Sequence, residues 1–89
     1  MVRIYVRHNV KDYGKWRKMY DGFDQERSGM GVTGHEVYRS IAKPNEITIS
    51  HDFETADKAK AFLKSKRLKE VMKHAGVKGA PTVWLVKPA

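Results

Sequence analysis

The chain has 89 residues and no cysteine, and its 18 lysines and arginines outnumber 10 aspartates and glutamates, for a formal charge of +8. That length implies one domain over residues 1–89 with a thin core, and the absence of cysteine excludes disulfide and thiolate chemistry and suits a cytoplasmic setting. No apolar run approaches the roughly 20 residues of a membrane span, and a start that alternates apolar residues with arginine does not read as a signal peptide. The positive charge is read as a solvated basic surface, with an anionic ligand or polyanion as the sharper alternative.

The first strand is expected over Val2 to His8, extending as far as Val10. Val2, Ile4, Val6 and His8 fall on one face by alternation, and Arg3, Tyr5, Arg7 and Asn9 on the other. Asp12 is placed to cap a helix running to about Glu26, with Tyr13, Trp16, Tyr20 and Phe23 at three- and four-residue steps. The glycines around Ser28 to Gly31 end it. A second strand reads Gly34 to Ile41, a turn follows at Ala42 to Asn45, and a third strand reads Glu46 to Glu54. The two make a hairpin. Its expected register pairs Ile41 with Ile47, Arg39 with Ile49, Val37 with His51 and His35 with Phe53. Thr55 opens a second helical region whose apolar phase shifts near Ser65 and Lys66, so it reads as two short helices or one kinked helix ending at Gly76. The last strand is expected after Pro81, over Thr82 to Lys87.

The order β-α-β-β-α-β is the ferredoxin-like arrangement, an α+β fold with a four-stranded antiparallel sheet and helices on one face. The other sheet face would carry Arg3, Tyr5, Arg7, Glu36, Tyr38, Thr48, Ser50, Asp52 and Trp84. It is too aromatic for plain water, and a second copy of the chain is its natural cover. Arg7 with Asp52 is the expected ion pair at that homodimer interface.

Several runs then acquire a joint meaning: R-H-N-V-K-D-Y-G-K-W from Arg7, P-N-E before the third strand, H-D-F-E from His51, and K-x-x-x-x-H-A-G-V-x-G-x-P from Lys69, ending the second helical region. Together they resemble the antibiotic-biosynthesis-monooxygenase-like branch of the dimeric α/β-barrel superfamily. That resemblance implies a homodimer whose two sheets close into a barrel, with a small-molecule pocket in each subunit between helices and sheet. It also implies activities that range from cofactor-free oxidation of polycyclic phenols to haem degradation, polyketide cyclisation and small lyase or isomerase reactions. The haem-degrading members fit poorly: Asn9 matches their asparagine, but Phe62 stands where their tryptophan belongs and Met72 where their histidine ligand belongs.

The residues that point to chemistry are His8, His35 and His51, which parity puts on the helix-facing side. With the first and third strands read as parallel, His8 and His51 lie toward one end, and the hairpin register brings His35 there too. His51 and His8 are the candidate catalytic residues, for acid–base or phenolate-stabilising roles. His35, Trp16, Tyr20 and Phe62 are the candidate substrate-binding residues. No metal site and no cofactor are expected, because no carboxylate accompanies the histidines at local spacing and no glycine-rich phosphate loop occurs. RNA binding, which the strand order also permits, is disfavoured because Thr48, Ser50 and Asp52 occupy the places of stacking rings. Two functions stay open: a cofactor-independent monooxygenase-like enzyme, or a noncatalytic ligand-binding or regulatory barrel.

Overall fold

A computed structural model describes residues 1–89. Strand β1 (Val2–Val10) leads to helices α1 (Tyr13–Gly22) and α2 (Asp24–Gly29), then to strands β2 (Gly34–Arg39) and β3 (Glu46–Phe53). Helices α3 (Ala56–Leu63) and α4 (Lys66–His74) precede the last strand, β4 (Val77–Val86). The sheet is antiparallel throughout, in the order β2-β3-β1-β4. This is the ferredoxin-like βαββαβ arrangement, with each helical crossover broken in two. None of the helices is long and apolar enough to cross a membrane.

Asp12 caps α1 as its position predicts, accepting from the Lys15 amide at 3.0 Å. Asp12→Ala is expected to cost about 1 kcal/mol, read as a lower urea midpoint at unchanged slope. The helix does not continue to Glu26 unbroken. At Phe23 the backbone tightens, its amide bonding the Tyr20 carbonyl at 3.2 Å, and α2 starts afresh at Asp24. The second helical region divides where the apolar phase shifts, with the Ser65 side chain capping α4 through the Leu68 amide at 3.2 Å. Gly76, at φ +81, closes α4 in the left-handed conformation that a side chain would disfavour.

Three expectations about the strands need correction. First, β1 and β3 run antiparallel, so His8 lies opposite Ile47 while His51 lies opposite Ile4. Second, the hairpin register is shifted by two residues from that expected: His35 faces His51, Val37 faces Ile49, and Arg39 faces Ile47. A two-residue shift keeps every side chain on its face, so alternation cannot detect it. The turn decides it: the Ser40 amide bonds the Glu46 carbonyl at 2.9 Å, which closes the hairpin early and leaves Ile41 in the exposed loop. Third, β4 starts at Val77, not Thr82. Gly79 and Pro81 are absorbed where the ladder with β1 is irregular between Arg7 and Asn9, so the missing proline N–H and the positive φ of Gly79 interrupt no paired residue.

The core forms on the helix-facing side in two halves. Ile4, Val6, Phe53 and Phe62 pack in one, and Val10, Trp16, Ile47 and Ile49 in the other. On the opposite face Tyr5 and Trp84 stack with centroids 5.4 Å apart. Asp52 there pairs with Arg3 at 2.6 Å instead of Arg7, because the antiparallel register puts Arg3 directly across. Arg7 reaches Thr48 and the Trp84 ring.

Candidate functional site

Between the two core halves lies a cavity of about 50 Å³, room for a few water molecules. Sheet residues Val6, His8, Ile49 and His51 form its floor, and Trp16 and Tyr20 of α1 form a wall. Phe62 of α3 and Leu68, Val71 and Met72 of α4 close the other side. Val6, Leu68 and Met72 also line an outer groove of about 340 Å³ between α4 and β4. Although its apolar residues fall on one stripe, α4 buries none of its residues. It separates chamber from groove, since Leu68 and Met72 line both, and is held there by side chains that are only partly covered.

The cavity's aromatic wall follows from the three- and four-residue spacing along α1. Trp16 and Tyr20 stack at 4.9 Å, and His8 meets the Trp16 edge at 5.7 Å. His51 contacts Phe62 at 5.1 Å. Strand parity delivers His8 and His51 to the same floor, two rows apart, because the antiparallel register puts the Val6–Ile49 row between them. His35, expected among the ligand contacts, stands behind Tyr20 and off the cavity wall. The corrected register sets it opposite His51, with its ring half-exposed toward Asp24 of α2. No group of three histidine, aspartate or glutamate side chains converges in a way that could hold a metal ion.

The polar groups here are few and unusually short of partners. Both ring nitrogens of His8, and Nδ1 of His51, are buried without a hydrogen bond. Such groups are rare in folded proteins and mark places where a ligand or water completes the bonding. The Tyr20 hydroxyl lies 3.0 Å from His35 Nδ1 and 3.3 Å from His51 Nε2. Burial pushes the His8 pKa down to about 4. Burial, then the positive charge of Arg27 and the His35 ring, push that of His51 down to about 3. Burial raises Tyr20 to about 12 against the pull of Arg27 and Arg17. At pH 7 His8, His51 and Tyr20 are therefore all neutral.

Arg27 is the residue that reasoning from sequence missed. It is 2% exposed, its guanidinium lies 3.7 Å from the Tyr20 ring centre, and it lines the cavity. It also donates to the Tyr20 carbonyl at the α1–α2 break and reaches Asp24 at 3.3 Å. A signal was present: Trp16, Tyr20, Phe23 and Arg27 continue one stripe at steps of four, three and four. A buried cation on an apolar wall, with its one carboxylate mostly in solvent, favours negative charge in the cavity.

No family model matches the chain, and neither does any curated protein. Solved structures do. SnoaB, a cofactor-independent oxygenase from Streptomyces nogalater solved as a point mutant, superposes with a TM-score of 0.77 at 13% identity, covering 98% of this chain and 91% of that one. A Bordetella bronchiseptica protein described among the antibiotic biosynthesis monooxygenases reaches 0.72 at 23% identity, over 99% of this chain and 96% of its own. Rv0793 from Mycobacterium tuberculosis reaches 0.74 at 12%, over 99% and 94%. The fold is that of the antibiotic biosynthesis monooxygenases. The resemblance read from the short motifs is thus met at the level of architecture across nearly the whole chain. A fold shared at these identities leaves the chemistry to be argued from the site.

Proposed function

We infer that this protein binds a small, largely apolar, weakly acidic molecule of the phenol or enol class and takes a proton from it without a bound cofactor. The observation that carries this reading is the pair of neutral, buried histidines with unpartnered nitrogens on an apolar cavity, next to a buried arginine. The ligand's acidic edge would enter the chamber. Its apolar body would displace Leu68 and Met72 and lie in the groove under α4, since a ligand pocket of ordinary size needs roughly 300 Å³ or more. His51 accepts the proton, the electron pair stays on the ligand, and Arg27 stabilises the anion. With dioxygen as co-substrate, that anion passes one electron to oxygen, and the radical pair combines to form a C–O bond. Loss of water then converts a CH₂ group to a carbonyl, one oxygen atom staying in the product and the other leaving as water. The similarity in fold to a cofactor-independent oxygenase supports this route.

A planar phenol such as 1-naphthol tests the binding step. In a Trp84→Phe background, Trp16 is the reporter, and its emission is expected to change saturably as the phenol fills the cavity. No saturable change with any phenol or enol would remove the reading. A noncatalytic binding barrel would give the same titration, and the two are separated by the His51 variant discussed below.

The functional unit in this reading is a homodimer. Tyr38 is 53% exposed and Trp84 36%, and both lie on the sheet face without helices, where leaving rings in water forfeits roughly 25 cal/mol per Å² of apolar area. Sedimentation at micromolar concentration is expected to show one species of twice the chain mass. A monomer whose melting temperature is unchanged on dilution would rule this assembly out.

A further inference from the structure

Four side chains from four elements form a line from the cavity to solvent. His51 Nε2 lies 3.3 Å from the Tyr20 hydroxyl, the hydroxyl lies 3.0 Å from His35 Nδ1, and His35 Nε2 lies 3.3 Å from Asp24 Oδ1. Asp24 is well exposed, while Tyr20 and His51 are buried. Each link constrains the next. The Asp24 carboxylate 3.3 Å from His35 Nε2, a charge contact rather than an aligned hydrogen bond, favours a proton on that nitrogen, because the opposite tautomer would set a lone pair beside an anion. His35 Nδ1 then carries the lone pair and accepts from the Tyr20 hydroxyl. A hydroxyl has one proton, so once Tyr20 donates to His35 its oxygen can only accept on the other side. His51 must supply that donor from Nε2. Its Nδ1 is left as a bare lone pair, and this is the atom that is buried without a protein partner.

The geometry points to Asp24, His35 and Tyr20 as positioning residues that lock His51 in the Nε2–H tautomer, so that Nδ1 is the atom that takes the ligand's proton. This deepens the reading of the cavity as a site for a weak acid, and rests on it for its purpose. In the step itself the ligand's O–H or C–H bond breaks, an Nδ1–H bond forms, and the electron pair stays on the ligand. The imidazolium so formed donates from Nε2 to a tyrosine oxygen already polarised through His35 toward an anion, which is what an orienting partner supplies to a catalytic histidine. Arg27 makes no hydrogen bond to these atoms: one terminal nitrogen donates to the Tyr20 carbonyl and the other to Asp24, while its Nε is buried without a partner. His8 is outside the line, with neither nitrogen oriented by a partner.

The test needs no ligand. Long-range ¹H–¹⁵N correlation on histidine-labelled protein at pH 8, above the ordinary imidazole range, reports the tautomer of each ring. In the wild-type protein His51 is expected to show a protonated Nε2 and a bare Nδ1. Asp24→Ala changes an exposed residue that does not touch His51, and it is expected to move the His51 tautomer ratio toward Nδ1–H by roughly fivefold, the equivalent of one neutral hydrogen bond. Tyr20→Phe is expected to release it likewise while keeping the aromatic wall. If Tyr20→Phe fails to fold, Asp24→Ala and His35→Gln carry the test. A wild-type His51 protonated on Nδ1, or a ratio unmoved by Asp24→Ala and His35→Gln in folded protein, would overturn the assignment. Failure of the phenol titration with this tautomer pattern intact would instead count against the ligand class alone.

Discussion

Replacing His51 by alanine is expected to lower turnover of a phenolic or enolic substrate by at least about tenfold, the usual general-base contribution being nearer a hundredfold. The ring is the only one on the cavity floor whose second nitrogen is held by a partner. Its low pKa in the empty cavity has burial as its first cause and Arg27 as its second. Both are opposed once an anion is left beside the ring, because the ligand's charge offsets that of Arg27 and gives the buried imidazolium a counter-ion. A weak base in the empty site is thus compatible with a competent one in the complex. The variant should keep its secondary structure and assembly, and added imidazole should restore part of the rate by refilling the space. If His51→Ala retains full activity while His8→Ala does not, the base is His8, whose two nitrogens are equally unpartnered.

Acid should destabilise this protein well before its carboxylates titrate. His8 and His51 are held neutral in the folded chain, with pKa values near 4 and 3, against an ordinary value near 6.5 once unfolded. Below pH 6.5 the unfolded chain binds protons that the folded chain refuses, so stability must fall as pH falls. Their contribution is complete above 6.5, declines by roughly 3 kcal/mol per pH unit for the pair, and levels off as the folded values are passed. For a domain of ordinary marginal stability that is a large fraction of the total. Melting temperature is therefore expected to drop steeply between pH 6.5 and 4.5. Replacing His8 by leucine should make the decline shallower by about half. Glu26, held below its usual range by Arg67, acts only further into the acid range and does not obscure this window. A melting temperature constant from pH 7 to 5 would show that the two rings are protonated without penalty and would overturn their burial as neutral groups.

Local signals determined the element order, the cap at Asp12, the division near Ser65 and the stop at Gly76, because each depends on residues within one turn of the chain. Alternation also determined which face of the sheet carries Ile4, His8 and His51, since side chains in a strand repeat every two residues. What alternation leaves undetermined is any shift by an even number of residues, and the site depended on such a shift. Only the hairpin turn put His35 across from His51, where the expected register had Val37. Only the antiparallel pairing of β1 with β3 gave Asp52 to Arg3 and separated His8 from His51. Arg27 was on the apolar stripe in plain sight, yet a basic side chain there reads as solvated until the structure shows it 2% exposed against the Tyr20 ring. The chain's pattern therefore identified the rings of the candidate site. Which ring touches which was decided by contacts between residues far apart in sequence, whose pairing a period of two or 3.6 does not encode.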